Sequence, residues 1–390
     1  MNNIFKYLPP IAQTVLSNAE LRNAADAGAW AQHGREARKF QRYAPAFIDD
    51  PDGNAIFSDF GADTYISPPP LVSSIPNAML TGYRALLWQQ SFCLDEAGLD
   101  PSENRDAVAK LWSSDPFLNE DTGFLASQAV DSVSFATGIR PTRHIPGAAL
   151  VLCSHEPSNY GSFLFRVMPK LATIRALSLN DLPVIVYART QSVLDLLEIC
   201  GVDIRRVIQH EIGFETSMDR AIVPTLRNPH GFLDGETVAL IRAMVASVAP
   251  DRPTRKLYVS RLRHGQASGS TRRLVNEVEV AERLAKLGFE ILEPERLSMR
   301  EQIKTFAEAA IVVGPSGSGM FNTVFCTPGT RIVDIESEPH WIYAHAGLFA
   351  SCELDYGLFV GTPDPTDSLP VHRRWTLNVD GLADRIASLI

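Results

Sequence analysis

From Ala310 to Ile335 the chain reads AIVVGPSGSGMFNTVFCTPGTRIVDI. Ala310–Val313 is a short apolar, β-branched run, the composition of a strand buried on both faces. Gly314–Gly319 breaks the run with three glycines and two serines, a tight turn. Met320–Cys326 then reads as a helix and Thr330–Ile335 as a second buried strand. Strand, turn, helix and strand in that order imply a parallel sheet covered by helices.

The alternation extends upstream. Lys256–Ser260 reads as a strand, Arg272–Leu287 as a helix ended by Gly288, and Phe289–Leu292 as a strand. Ser298 with Glu301 three residues on is a capping box. A helix over Glu236–Val248 precedes Pro250 and Pro253. An earlier series has the same grammar: a strand at Ala148–Cys153, a helix over Tyr160–Leu179, and a strand at Val184–Tyr187. A helix over Gln191–Cys200, stopped by Gly201, and strands at Arg206–Gln209 and Ala221–Val223 complete it. Two such series, joined near residues 225–255, predict an α/β architecture. Two Rossmann-like domains with parallel sheets would face each other across a cleft. The expected segments are an N-terminal extension (1–70), a first Rossmann-like domain (71–230), a second Rossmann-like domain (231–365) and a C-terminal helix (366–390). Within the extension, Ile11–Arg38 has a helical pattern and Asp49–Asp63 reads as a loop. Pro68-Pro69-Pro70 stops regular structure. Residues 72–150 read as short strands and turns with one helical stretch.

A chain of 390 residues suits two domains. A formal net charge of −9 argues against general nucleic-acid binding. The five cysteines are scattered and form no CxxC, which excludes a disulfide scaffold or zinc knuckle and suits reduced thiols in a cytoplasmic protein. No run of about 20 apolar residues is present to span a membrane. Peripheral contact with the inner membrane face needs only a surface patch and stays open.

Three constellations bear on chemistry. The first is the turn itself. Gly314, Gly317 and Gly319 let backbone N–H groups approach an anion, Ser316 and Ser318 add hydroxyls, and a helix N-terminus follows. Met320 and Phe321 stand where a P-loop has lysine and Ser/Thr, so an NTPase is rejected. The spacing also fails the dinucleotide fingerprint. The second is a basic stretch from Arg252 to Asn276, seven Lys/Arg and no acid. In it Arg261 and Arg263 fall at the C-terminal end of a predicted parallel strand, where such sheets bind ligands. Arg252 and Arg255 read as a solvated face. The third is Ser158-Asn159-Tyr160-Gly161-Ser162, with Asn159 placed as an N-cap and His155 and Glu156 just upstream. His340 and His345 lack the i, i+4 spacing of a helical metal pair. The lone DxD, Asp50-Pro51-Asp52, reads as a turn. No metal site and no cofactor are expected, with cationic side chains neutralising the diphosphate.

In this order, the segments resemble glycosyltransferase family 61. They are Asn159–Leu164 through Pro169–Leu171, Tyr258–Arg261, Arg272-Arg273 with Asn276, Glu277 and Glu279, Gly288–Glu290, Gln302, and Val313–Asn322 followed by Phe325. The resemblance implies a GT-B-like fold, with residues 71–230 as the acceptor-side domain and 231–365 as the nucleotide-sugar-binding domain, and inverting transfer from that donor, usually a UDP-sugar. The acceptor would be a saccharide or glycolipid in surface polysaccharide synthesis of the capsule type. It places Arg261, Arg263, Gly314, Ser316, Gly317, Ser318, Gly319 and Asn322 at the donor, with Glu336 toward the ribose. Asn276 and Glu277 would brace the Arg261 loop. Asn159, Tyr160, Ser162 and Arg166 would lie on the acceptor side. His155 is the first candidate for the base and Glu156 the second. Family members carry histidine where this chain has Ser162, commonly an acid at Arg166, and often histidine at Ser316. Those departures leave a second reading: a catalytically impaired nucleotide- or carbohydrate-binding protein of the same fold.

Overall fold

The computed structural model describes residues 3–7, 29–32, 38–50, 61–67, 71–89, 91–93, 125–129, 132–135, 140–154, 159–176, 178–224, 231–263, 273–337, 342–367 and 373–390. The chain divides into two compact units: Met1–Lys39 with Ile66–Pro229, and Phe40–Tyr65 with His230–Ile390. Residues 1–70, set apart in the sequence reading, are shared between them.

The first unit holds an eleven-stranded sheet. One end is a parallel block of β1 (Thr142–Val151), β2 (Val184–Val186), β3 (Val207–Gln209) and β4 (Glu215–Pro224), in the order β3-β2-β1-β4. Beyond β4 the sheet turns antiparallel, through Leu71–Thr81, Ala85–Trp88 and Ser91–Cys93. The expectation of a parallel sheet holds for the block β3-β2-β1-β4 and is corrected for the strands beyond it. Gly82, at φ +57°, closes a tight turn between Leu71–Thr81 and Ala85–Trp88. So short a connection cannot cross over, and the strands must be antiparallel. A second correction falls in the stretch expected to be helical. Ala29–Gln32 is a strand pairing antiparallel with Leu71–Thr81, a case of sheet pairing overriding local helix propensity. The core joins Ile75, Leu80, Leu86, Ala149, Val151, Ile185, Met218 and Val223.

The helix expected over Tyr160–Leu179 is a helical turn at Tyr160–Ser162, a π-helical segment at Phe163–Val167 and helix α1 (Met168–Ala176). Asn159 caps it: its Oδ1 accepts from Gly161 N at 2.9 Å and Ser162 N at 3.4 Å. Helix α2 (Gln191–Ile199) ends before Gly201, whose φ of +90° lets the chain reverse.

The second unit matches the sequence reading more closely. Its strands are β5 (Arg255–Val259), β6 (Glu290–Leu292), β7 (Ala309–Pro315), β8 (Arg331–Glu336) and β9 (Asp355–Val360). They lie in the order β6-β5-β7-β8-β9, every pairing parallel, with Ile48–Asp49 added beside β9. Strands β7, β8 and β9 are buried along most of their length, as their apolar runs require, while edge strand β6 leaves Glu290 and Ile291 exposed. The helices are α3 (Gly235–Val245), α4 (Glu277–Lys286), α5 (Met299–Ala307), α6 (Ile342–Ser351) and α7 (Val379–Leu389). The Ser298–Glu301 capping box opens α5. Helix α4 starts at Glu277 rather than Arg272, because Leu274 bridges to Trp375 and Asn276 holds Leu377. The C-terminal helix α7 joins this unit's core through Leu382 and Ile386, beside Val280 and Leu284 of α4. Met320–Phe325 is a 3-10 helix of six residues, not an α-helix. Its N–H groups bond three residues back, Met320 to Gly317 and Asn322 to Gly319, and Pro328 soon follows.

Candidate active site

Strand order reverses between β5 and β7. In open parallel sheets, ligands bind outside the strand ends at such a point. Here the ends are Ser260-Arg261 after β5 and Ser316–Gly319 after β7.

Arg261 is fixed at that point from both sides. Glu277, only 3% exposed, accepts from Ser260 Oγ at 3.0 Å and from Arg261 N at 2.5 Å through its Oε1. Burial raises the Glu277 pKa, and the Arg261 N–H, the Ser260 hydroxyl and the Arg261 charge oppose it. The guanidinium lies against the turn: Nη1 donates to Ser316 O at 2.9 Å. A Cβ built on Gly317 would stand 3.0 Å from the same nitrogen, so glycine permits this approach. Gly314 is needed for a similar reason, since a Cβ there would come within 3.0 Å of Val259 O. Among the described residues, the N–H groups of Gly317 and Gly319 have no acceptor. The half-exposed turn thus presents two backbone donors beside a guanidinium, an arrangement that receives an anion. The short 3-10 helix replaces the helix dipole invoked from sequence, so the electrostatics rest on Arg261 and the turn.

Several other expected donor residues stand elsewhere. Ser318 is exposed at the tip of the turn, and Arg263 is exposed after β5. Ser316 is buried; its hydroxyl faces His345 rather than solvent. Asn322 is buried and donates to Gln302 Oε1 at 2.8 Å, tying the 3-10 helix to α5. Both amide atoms of Asn276 hold Leu377, so Asn276 does not brace Arg261. Glu336 is the last residue of β8 and fully buried. Arg255 is engaged with Glu290 and Glu308, and the Glu290 carboxyl is held below its usual range by that guanidinium.

Sequence reasoning set His345 aside because its spacing from His340 is not that of a helical metal pair. Its Nδ1 lies 3.0 Å from Asp334 Oδ2, and its Nε2 lies 3.2 Å from Ser316 Oγ. Asp334, Glu336 and His345 bring one ligand atom each within 4.8 Å of one another. The available signal was the pair Asp334 and Glu336, two apart on one strand and so on one face.

In the first unit, Leu152–Ser154 after β1 and Tyr187 after β2 line a small depression with Ser162, Phe163 and Val167. Of the expected acceptor-side residues, Ser162 faces it; Asn159 is the cap, Tyr160 is half-buried, and Arg166 is half-buried in the π-helical segment. His155, Glu156, Arg272, His340 and most of the DxD lie outside the described residues.

Residues 160–333 match the family described as Glycosyltransferase 61. That stretch, rather than the whole chain, is similar to the family. The protein is a glycosyltransferase, and the family implies a nucleotide-sugar donor and an acceptor in general terms. The matched stretch takes in Ser162, Arg261, Glu277 and the glycine-rich turn, and ends one residue before Asp334. No curated protein matches the chain. No helix among the described residues is long and apolar enough to cross a membrane.

Proposed function

We propose that this glycosyltransferase is inverting, and that its donor diphosphate, in a UDP-sugar, lies on the Gly317–Gly319 turn against Arg261. The observation behind this is the guanidinium packed on Gly317 beside two unbonded backbone N–H groups, at the switch point of a parallel sheet. As the acceptor oxygen attacks the anomeric carbon, the bond from that carbon to the diphosphate oxygen breaks. The diphosphate leaves with the electron pair, and its charge is met by Arg261 and the turn rather than by a bridging metal. The acceptor, a saccharide or glycolipid for surface polysaccharide, is assigned to the depression beside Ser162. The hydroxyl proton passes to His155, with Glu156 second.

The test is calorimetry with UDP in EDTA. Arg261→Ala should weaken binding by about 10- to 150-fold, the worth of a charged hydrogen bond. Arg255→Ala, which breaks pairs with Glu290 and Glu308, should leave affinity unchanged. Equal losses in two folded variants would misplace the phosphate, and binding seen only with Mg²⁺ or Mn²⁺ would remove the metal-free reading. For the base, His155→Ala should lower turnover by about 100- to 10,000-fold at saturating substrates, with UDP affinity intact. Near-normal turnover rejects His155, and a selective loss in Glu156→Gln transfers the role.

A further inference from the structure

The cluster behind the glycine-rich turn poses a problem in electrostatics. Asp334 and Glu336 are each 0% exposed, and His345 is 1% exposed. Burying carboxylates without compensation costs several kcal/mol per group. The Asp334 case is the sharpest. Neither of its oxygens has a hydrogen-bond partner among the described residues, although Oδ2 is 3.0 Å from His345 Nδ1. The two atoms are close without an N–H aimed at the oxygen. Two atoms in contact without hydrogen-bond geometry are placed as the ligands of one cation are placed.

We propose that Asp334, Glu336 and His345 hold one divalent first-row cation. Metal–ligand bonds of about 2.0–2.2 Å put the ligand atoms of one ion about 3–4.4 Å apart. The three ligand atoms here lie within 4.8 Å of one another, so small side-chain shifts close them on an ion. Two carboxylate oxygens and one imidazole nitrogen form a mixed donor set that suits Mn²⁺ or Zn²⁺. The histidine is also oriented for the task. With Nδ1 turned toward Asp334, Nε2 lies 3.2 Å from Ser316 Oγ and can donate to it. The same hydroxyl lies 3.3 Å from Nδ1, and with Nε2 as the donor Nδ1 keeps its lone pair for the ion. The backbone aids the approach, since Gly314 of β7 stands opposite Asp334 of β8 in the register.

The ion is structural. All three ligands are buried, whereas Arg261, Gly317 and Gly319 are partly exposed. Through Ser316, the ion stiffens the turn from behind without touching the diphosphate. It therefore stands apart from the metal-free donor binding proposed above.

The test uses the full-length chain without a histidine tag and without nucleotide. After chelator treatment and dialysis, titration with MnCl₂ and with ZnCl₂ should show one equivalent bound per chain for at least one metal. Asp334→Asn and Glu336→Gln should weaken binding at least tenfold. Should those variants fail to fold, pulsed electron paramagnetic resonance of the Mn²⁺-loaded wild type reads the site directly. A nitrogen coupling from one imidazole is expected. Sub-stoichiometric binding of both metals, unchanged affinity in the folded variants, or bound Mn²⁺ with no nitrogen coupling overturns the proposal. None of these readouts depends on UDP, so their failure leaves the donor site standing or falling on its own calorimetry.

Discussion

Arg261 and Gly317 act as one device at the scale of the residue. The glycine has no Cβ where the guanidinium lies, and a methyl there would sit 3.0 Å from Nη1. Gly317→Ala should push the arginine off the turn and weaken UDP binding about tenfold, near 1.4 kcal/mol. If the loss runs through Arg261, the double variant Arg261→Ala/Gly317→Ala binds no worse than Arg261→Ala alone. A double variant weakened by the sum of both losses would show two independent effects. Arg261 was legible in the sequence because it directly follows a run that reads as a parallel strand. Ser316 was legible as part of the turn but not in its direction; nothing in the glycine spacing says that its hydroxyl turns inward. His345 was illegible for a plainer reason. Its partner Asp334 lies on another element, and a helical periodicity test cannot see across a strand–helix connection.

Strands β5 to β8 of the second unit are the elements the sequence showed most clearly, as apolar runs close to glycine, proline or a cap, whereas β9 and α6 went unread. The Ser298 capping box is such a boundary, and it carries a measurable prediction. Ser298 Oγ receives the Glu301 N–H, and the Glu301 carboxylate accepts from Ser298 N at 2.8 Å. Ser298→Ala should cost about 1 kcal/mol. In a unit of this size that lowers Tm by about 2–4 °C, measured by differential scanning calorimetry. Glu301→Gln keeps the box geometry and should lose less; a larger loss than in Ser298→Ala would refute the box as the source of stability. Elements fixed by tertiary pairing were harder to read. Ala29–Gln32 has the composition of a helix and becomes a strand through pairing with Leu71–Thr81, some 40 residues on. Met320–Phe325 carries a helical pattern that cannot distinguish three residues per turn from 3.6 over so short a span.

For the whole molecule, acid is the condition that discriminates. His210 is 1% exposed; its Nε2 faces Gly82 O, and its Nδ1 has no hydrogen-bond partner among the described residues. Burial lowers its pKa to about 4, with Arg143 and Arg140 adding repulsion. The folded value lies below the unfolded value of about 6.5. Between the two, the unfolded chain binds the extra proton, so stability is full above pH 6.5 and falls as pH drops toward 4. The loss is on the order of 3 kcal/mol. Urea titrations at pH 7, 5.5 and 4.5 should show this decline in the wild type and a flatter profile in His210→Gln. Parallel profiles would acquit His210. The N-terminal segment has a consequence for dissection. Phe40–Tyr65 belongs to the second unit, although the chain on either side of it belongs to the first. It delivers Ile48–Asp49 to the edge of β9, and Asp49 accepts twice from Arg385 of α7. A protease that cuts once near residue 229 therefore leaves a fragment still pairing with the half it was cut from. The nicked protein should migrate as two bands in denaturing gels and as one species in native ones, and a gene trimmed to begin at 230 would encode a sheet missing its outermost strand.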